Sequence, residues 1–346
     1  MKLGLTAGGF GARLSIDLDR IRQAESLGFD SAWTAEAYGN DAVSSAAWIL
    51  ASTTTLKVGT SIMQMPARTP AMTAMTAMSL DHLSGGRFIL GIGASGPQVV
   101  EGWHGVPYGR ALTRTREYIE IIRKVLAREG PLTHDGYHYH IPITSEGTTG
   151  LGRPLKSILH GDPSLPIYTA SISPAGLRCA GEVADGVFPI WMDPAKFDVI
   201  GPLLEEGFAK AGGGKSLDDF AVCPMVTVVI SDDIEKARMP IKMNMALYIG
   251  GMGARDKNFY NDYAKRLGYE EAAVKIQDHY LARERQEAMA AVPDELVDAV
   301  ALVGSKDRIR DRLAVWKEAG EQKRVDTLLL GTNQPEAMQL MAEEIL

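Results

Sequence analysis

Short apolar runs and longer stretches with apolar residues at helical spacing take turns along this chain. KLGLTAG (2–8) reads as a strand, and LSIDLDRIRQAESLGF after it carries its apolar residues on one helical face. DSAWTAE (30–36) is the second strand, ahead of a helix near 41–54. LKVGTSIMQM (56–65) is the third, ahead of a Met- and Ala-rich helix from Pro70 to Leu83. RFILGIGAS (87–95) is the fourth, with a helix from about Arg110 to Arg128 behind it. Strand and helix joined by short links predict βαβ units and a parallel sheet. LPIYTAS (165–171), DGVFPIW (185–191) and FAVCPMVTVVI (220–230) supply the fifth to seventh strands. VDTLLLG (325–331) is the eighth, and 335–345 a closing helix. The fold expected is α/β, a closed (β/α)8 TIM barrel.

Two stretches break the rhythm. Residues 129–164 are rich in Gly, Pro and His, with GYHYHIP reading as a small hairpin; residues 238–300 are mostly helical and include YIGGMG (248–253). Long structureless loops are uncommon inside compact domains, so both are expected as insertions at the C-terminal face, where barrel loops build active sites. No linker is visible, and residues 1–346 read as one domain.

Composition narrows the function. A net charge of −7 argues against nucleic acid as a partner, since phosphate backbones need clustered Lys and Arg. Two distant cysteines, Cys179 and Cys223, offer neither a disulfide framework nor a zinc cluster and fit a reducing cytoplasm. The start, MKLGLTAGGFG, does not read as a signal peptide, and no run approaches the roughly 20 apolar residues of a membrane span.

The chemistry-bearing patterns are few. GIGASG (91–96) fits a dinucleotide fingerprint poorly, because Pro97 and a long loop follow; small residues there let a ligand or backbone come close. After the fifth strand, Ala170 to Ser173 precede a helix beginning at Pro174, a position that suits an anion; ordinary N-capping by Ser171 or Ser173 explains the same residues. His138 and His140 lie two apart in a strand-like run and so share a face, but no third metal ligand stands nearby, and no metal is expected. Glu36, at the end of the second strand, sits where barrel enzymes keep catalytic groups, and a loop or capping carboxylate accounts for it equally well. Arg114, Arg116, Glu117, Glu120 and Arg123 read as a solvated face or a ladder of helical ion pairs. Met72, Met75 and Met78 read as core.

Taken together, LGLTAGGFG, AESLGFDSAWTAEAYGNDA, LKVGTSIMQMPARTP, LDHLSGGRFILGIGASGPQVVEG, LPIYTASISPAGLRCAGEVADGVFPIW and ALYIGGMGARDKNFYNDYAKRLGY resemble the bacterial luciferase-like superfamily, specifically its F420-dependent oxidoreductase branch. The resemblance runs almost the length of the chain and ends in VPDELVDAVALVGSKDRIRDRL. It implies a deazaflavin, coenzyme F420, standing at the C-terminal ends of the strands. A third-strand bulge with a non-proline cis peptide at Ser61 and Ile62, beside Met63 and Gly93, would back the ring. Ala170, Ser171, Ile172 and Ser173, with Ile190, Trp191 and Met192, would hold the phosphate end.

Relatives with Asp-His at the end of the second strand differ from this chain, which has Glu36-Ala37; where the sugar-phosphate dehydrogenases have an acidic residue, it has Gly96. Oxidation of an alcohol or sugar phosphate is therefore not expected. Trp33, Glu36, Tyr38 and Trp103 would line the substrate side, with Glu36 the candidate proton donor or acceptor. The resemblance implies an enzyme moving a hydride between the deazaflavin C5 and a small organic substrate, working as a homodimer. The alternatives are an FMN-dependent monooxygenase using reduced flavin and oxygen, and a cofactor-free barrel binding a small anion at 170–173.

Overall fold

The computed structural model describes residues 1–8 and 11–346; Gly9 and Phe10, within the LGLTAGGFG motif, lie outside the described residues. Parallel strands Lys2–Thr6, Ser31–Thr34, Lys57–Thr60, Phe88–Gly93, Ile167–Ala170 and Gly186–Phe188 follow one another, each paired with its predecessor. Thr327–Gly331 pairs with the first strand. The expected seventh strand is two pieces. Ala221–Val222 pairs with the sixth strand and Met225–Ile230 with the eighth, so this segment closes the circle. The break falls at Cys223–Pro224, where proline has no N–H to give a ladder.

One strand escaped the sequence pattern. Leu302–Gly304 pairs in parallel with Val228–Ile230, outside the ring of eight. Three residues are too few to show a period.

Helix starts follow capping chemistry. Asp17, Asp41, Thr69, Ser173, Asp233 and Ser305 each stand just before a helix and accept a backbone N–H from its first turn. The helix Pro70–Ser84 buries Thr73, Ala74, Ala77 and Met78 but leaves Met72 and Met75 about half exposed, contrary to the core reading. A three-residue step turns 300°, so such a stripe drifts off one face of a helix with 3.6 residues per turn.

Helix Ala111–Ala127 also departs from expectation, being no solvated face. Arg114 is buried and donates to the carbonyls of Pro107 and Tyr108. Arg116 pairs with Glu182 and Arg123 with Asp185. Glu117 is buried and accepts the N–H groups of Tyr137, His138 and Tyr139; burial opposes its charge, yet these three donors hold its carboxyl below the usual range. They fix the hairpin, in which His134–Asp135 pairs with His140–Ile141. The two histidines do not share a face. His140 Nδ1 meets Asp135, whereas His138 lies in the turn with Nε2 on the Arg110 carbonyl. Among the described residues no group of three His, Cys, Asp or Glu is arranged for a metal, and no helix is long and apolar enough to cross a membrane.

The second insertion is a set of helices, Ile234–Gly251, Phe259–Arg266, Glu270–Leu281, Arg285–Ala290 and Asp294–Val300. Gly250 and Gly251 lie directly against the Tyr280 side chain, leaving no room for a Cβ. The Asn258 side-chain amide donates to the carbonyls of Tyr248 and Ile249, and Asn261 to Ile249 and Ala273, so buried amides bolt these helices together.

The barrel lumen is filled by rings. Trp33 stacks on Tyr168 at 6.0 Å and meets Phe188 edge-on at 5.1 Å, while Tyr168 and Phe188 lie 5.8 Å apart. Glycines make the room: a Cβ on Gly59 would overlap the Trp33 indole, and one on Gly186 would sit 2.7 Å from Tyr168 Cδ1. Trp33 is therefore lumen packing rather than substrate lining, with its Nε1–H given to Ser31 Oγ at 2.9 Å. Below the rings, at the N-terminal mouth, a cavity of about 280 Å³ is rimmed by Lys2, Asp30, Lys57, Asp81, Asp162 and Asp326. Lys2 pairs with Asp326 at 3.1 Å and Lys57 with Asp30 at 3.0 Å.

Candidate active site

The C-terminal rim is shaped by an interruption of the third strand. Thr60 Oγ1 donates to the Gly91 carbonyl at 2.7 Å and accepts the Gly91 N–H at 3.0 Å, so a side chain replaces the ladder there. The Ser61–Ile62 peptide is cis, as the resemblance implied, and pairing resumes at Met63–Gln64 against Ile92 and Gly93. Ser61 N–H donates to Thr34 O at 2.6 Å, and Ile62 O accepts the Glu36 N–H at 3.3 Å. Ile62 lies over Gly93, where a Cβ would come within 2.8 Å of Ile62 Cδ1, so Gly93 makes room for the bulge. Ser61 and Ile62 are half-buried at the rim. Met63 is only 1% exposed, with its side chain in the main core instead.

Glu36 holds this bulge from the second-strand side. Its Oε1 accepts the Gln64 N–H at 2.7 Å and Arg68 Nη1 at 2.6 Å. Its Oε2 accepts the Ala42 N–H at 2.9 Å and Arg68 Nη2 at 3.1 Å. The carboxylate is 4% exposed and engaged by four donors. Tyr38 and Trp103, expected on the substrate side, are each 67% exposed.

On the fifth strand, Ala170 is exposed and Ser171, Ile172 and Ser173 are half-buried. Ser173 caps the helix Pro174–Val183, its Oγ accepting the Gly176 N–H at 3.1 Å. Ser171 Oγ overlooks the same turn: a Cβ on Gly176 would lie 2.7 Å from it and 2.8 Å from Ser173 Oγ. Two hydroxyls thus stand at the positive end of a helix, above a glycine that keeps the floor clear. Arg266, from the inserted helices, reaches this loop and donates through Nη2 to the Ile172 carbonyl. Its Nε and Nη1 are buried and have no hydrogen-bond partner among the described residues.

Just past the sixth strand, Ile190 is bridged to Met225. Trp191 follows with φ 50°, a left-handed conformation uncommon for a bulky side chain. Tyr248 and Tyr260 meet its ring edge-on at 6.0 and 5.7 Å, and each other at 4.8 Å. Burial pushes the Tyr260 phenol up to about 12, with Tyr248 adding to the shift. Met192 is 1% exposed, packed in the core.

The expected residues therefore lie on one arc, at the ends of the second to sixth strands, which are neighbours in the sheet. Sequence reading missed Arg68, Tyr248, Tyr260 and Arg266. Arg68 meets Glu36 across 32 residues and Arg266 meets Ile172 across 94, separations at which no local pattern operates.

Comparison with known proteins fits this arrangement. The profile of the luciferase-like monooxygenases matches residues 4–323. A Mycobacterium tuberculosis protein provisionally named coenzyme F420-dependent oxidoreductase is 46% identical over 92% of this chain and 93% of its own length. The 5,10-methylenetetrahydromethanopterin reductase of Archaeoglobus fulgidus is 29% identical over 94% of this chain and 93% of its own. Among solved structures, the coenzyme F420-dependent tetrahydromethanopterin reductase of Methanopyrus kandleri superposes with a TM-score of 0.75 at 25% identity, over 100% of this chain and 97% of that one.

Proposed function

The chain belongs to the luciferase-like monooxygenase family, and from that premise we propose that it is a coenzyme F420-dependent oxidoreductase acting on a small organic substrate. Its likeness to the mycobacterial oxidoreductase supports the cofactor. The observation that carries the reading is the anion cradle: Ser171 and Ser173 hydroxyls at a helix start, with two buried Arg266 nitrogens unpartnered beside it. A phosphate-bearing cofactor fits those groups.

When bound, F420 supplies the ring carbon C5 that gives or takes a hydride. Ser171, Ser173 and the helix start hold the anionic end. The Ser61–Ile62 bulge supports the ring, with Met63 and Gly93 acting through the bulge rather than by side-chain contact. Trp191, Tyr248 and Tyr260 form a wall that excludes water, with Ile190 and Met192 anchoring it. Glu36, with both oxygens engaged, acts as a positioning residue in preference to a proton carrier. Glu36→Gln should then lower stability and cofactor affinity along with turnover. Loss of turnover alone would return Glu36 to proton transfer.

Titration with oxidised F420 and separately with FMN, followed by tryptophan quenching, tests the cofactor. F420 should bind the more tightly. Tighter FMN binding would move the protein to flavin-dependent monooxygenation, and binding of neither would leave a cofactor-free barrel.

We also read the protein as one domain and as a cytoplasmic homodimer whose partner is a small molecule, not nucleic acid or membrane. Free, buried Cys179 and Cys223 fit a reducing compartment. Trp48, Met72 and Met75, exposed on adjoining helices, offer an apolar face for a second copy. Sedimentation should give twice the 37.4 kDa chain mass, falling to one chain in Trp48→Arg.

A further inference from the structure

Helix Phe259–Arg266 touches the candidate site at both ends. Its first turn sets Tyr260 on Trp191, and its last residue sets Arg266 on Ile172. Guanidinium is permanently charged and carries five N–H donors in a rigid fork. Here one nitrogen is matched to a backbone carbonyl, and two others are buried without an acceptor. No carboxylate lies within ion-pair distance of this group among the described residues, although Asp262 one turn back acts on it through space; the Tyr263 ring lies 5.1 Å from the guanidinium carbon. Arg266 is half-buried, but these two polar atoms are shut off from solvent, which is costly unless they are paired, and the loop it contacts is the one that carries Ser171 and Ser173. The side chain that carries the vacant donors thus anchors on the residue between the two serines.

Resting on the F420 reading above, we propose that Arg266 is the residue that selects the cofactor's phosphodiester, its Nε and Nη1 completing the acceptor set that Ser171, Ser173 and the helix start begin. It would discriminate phosphate-bearing F420 from the bare deazariboflavin that shares its ring. The rival role is a brace, in which Arg266 only steadies the 170–173 loop through Ile172 and affects both ligands alike.

The experiment titrates wild type, Arg266→Gln and Arg266→Lys with F420 and with the deazariboflavin lacking phosphate, reading tryptophan quenching, with thermal unfolding as a folding control. Arg266→Gln should weaken F420 roughly tenfold to hundredfold, the range for a lost hydrogen bond to a charged group. Its affinity for deazariboflavin should stay within about threefold, well under one decade. Arg266→Lys, keeping charge but losing the fork, should fall between. Equal weakening of both ligands would overturn the inference in favour of the brace, as would unchanged F420 binding. Wild type that binds deazariboflavin as tightly as F420 would overturn it too. Wild type that binds neither would remove the F420 reading itself, and this inference with it.

Discussion

The two mouths of the barrel are built on opposite terms. At the N-terminal mouth both lysines meet carboxylates: Lys2 with Asp326, Lys57 with Asp30. Nearby, Glu25 accepts the N–H groups of Thr54, Thr55 and Leu56 just before the third strand. At the C-terminal rim Arg266 keeps two nitrogens unpaired and Trp191 holds a left-handed backbone, a conformation costing of order 1–3 kcal/mol. One end is finished and the other is waiting. Barrel enzymes divide stability and chemistry between these two ends in the same way.

Substitutions can break that division. The largest effect should come from Arg68→Met, which leaves the Glu36 carboxylate buried without its cation. Urea denaturation should show a loss of about 3 kcal/mol, at the lower end for a broken buried pair because two backbone donors remain. F420 affinity should fall with it. Unchanged affinity would mean the bulge does not depend on this pair.

Next comes Gly59→Ala in the lumen, where the new methyl meets the Trp33 indole. Overpacking of this kind costs about 1–3 kcal/mol, and F420 binding should not change. A parallel fall in binding would show that the lumen and the rim are coupled.

Lys2→Met should cost no more than about 1 kcal/mol, because both partners of this pair are substantially exposed. Turnover should match wild type. A loss of turnover would place function at the wrong mouth.

The effect of Glu25→Gln should be confined to pH above the acid range, because only the ionised carboxyl gains from its backbone donors, and the variant should match wild type in acid. Burial opposes the Glu25 charge, but the backbone donors of residues 54–56 bring its carboxyl down to about 2 from an ordinary 4.5. A depressed carboxyl contributes stability that is complete above about 4.5 and disappears as pH falls through about 2. Melting temperature against pH should therefore decline less steeply over that window in the variant. An unaltered acid limb would deny Glu25 this role.

The strand–helix rhythm was legible because each element is set by local spacing and by a capping residue such as Thr69 or Ser173. The serines at the start of helix Pro174–Val183 were legible for the same reason, being a strand end followed by a capped helix. Residues whose meaning depends on distant partners were not. Glu36 reads as a free rim carboxylate until Arg68 is folded onto it, and Arg266 reads as a helix-end cation until Ile172 lies beneath it. Trp33 was assigned to the wrong compartment because its direction depends on Gly59 and Gly186 opening the lumen to rings. Met72 and Met75 misled because apolarity was counted without its angle around the helix.

The ring-filled lumen has one more consequence. With Trp33, Tyr168 and Phe188 wedged across it, the barrel is a well with a floor rather than a pipe. With the axis blocked, anything bound at the C-terminal rim must arrive and depart on that side alone.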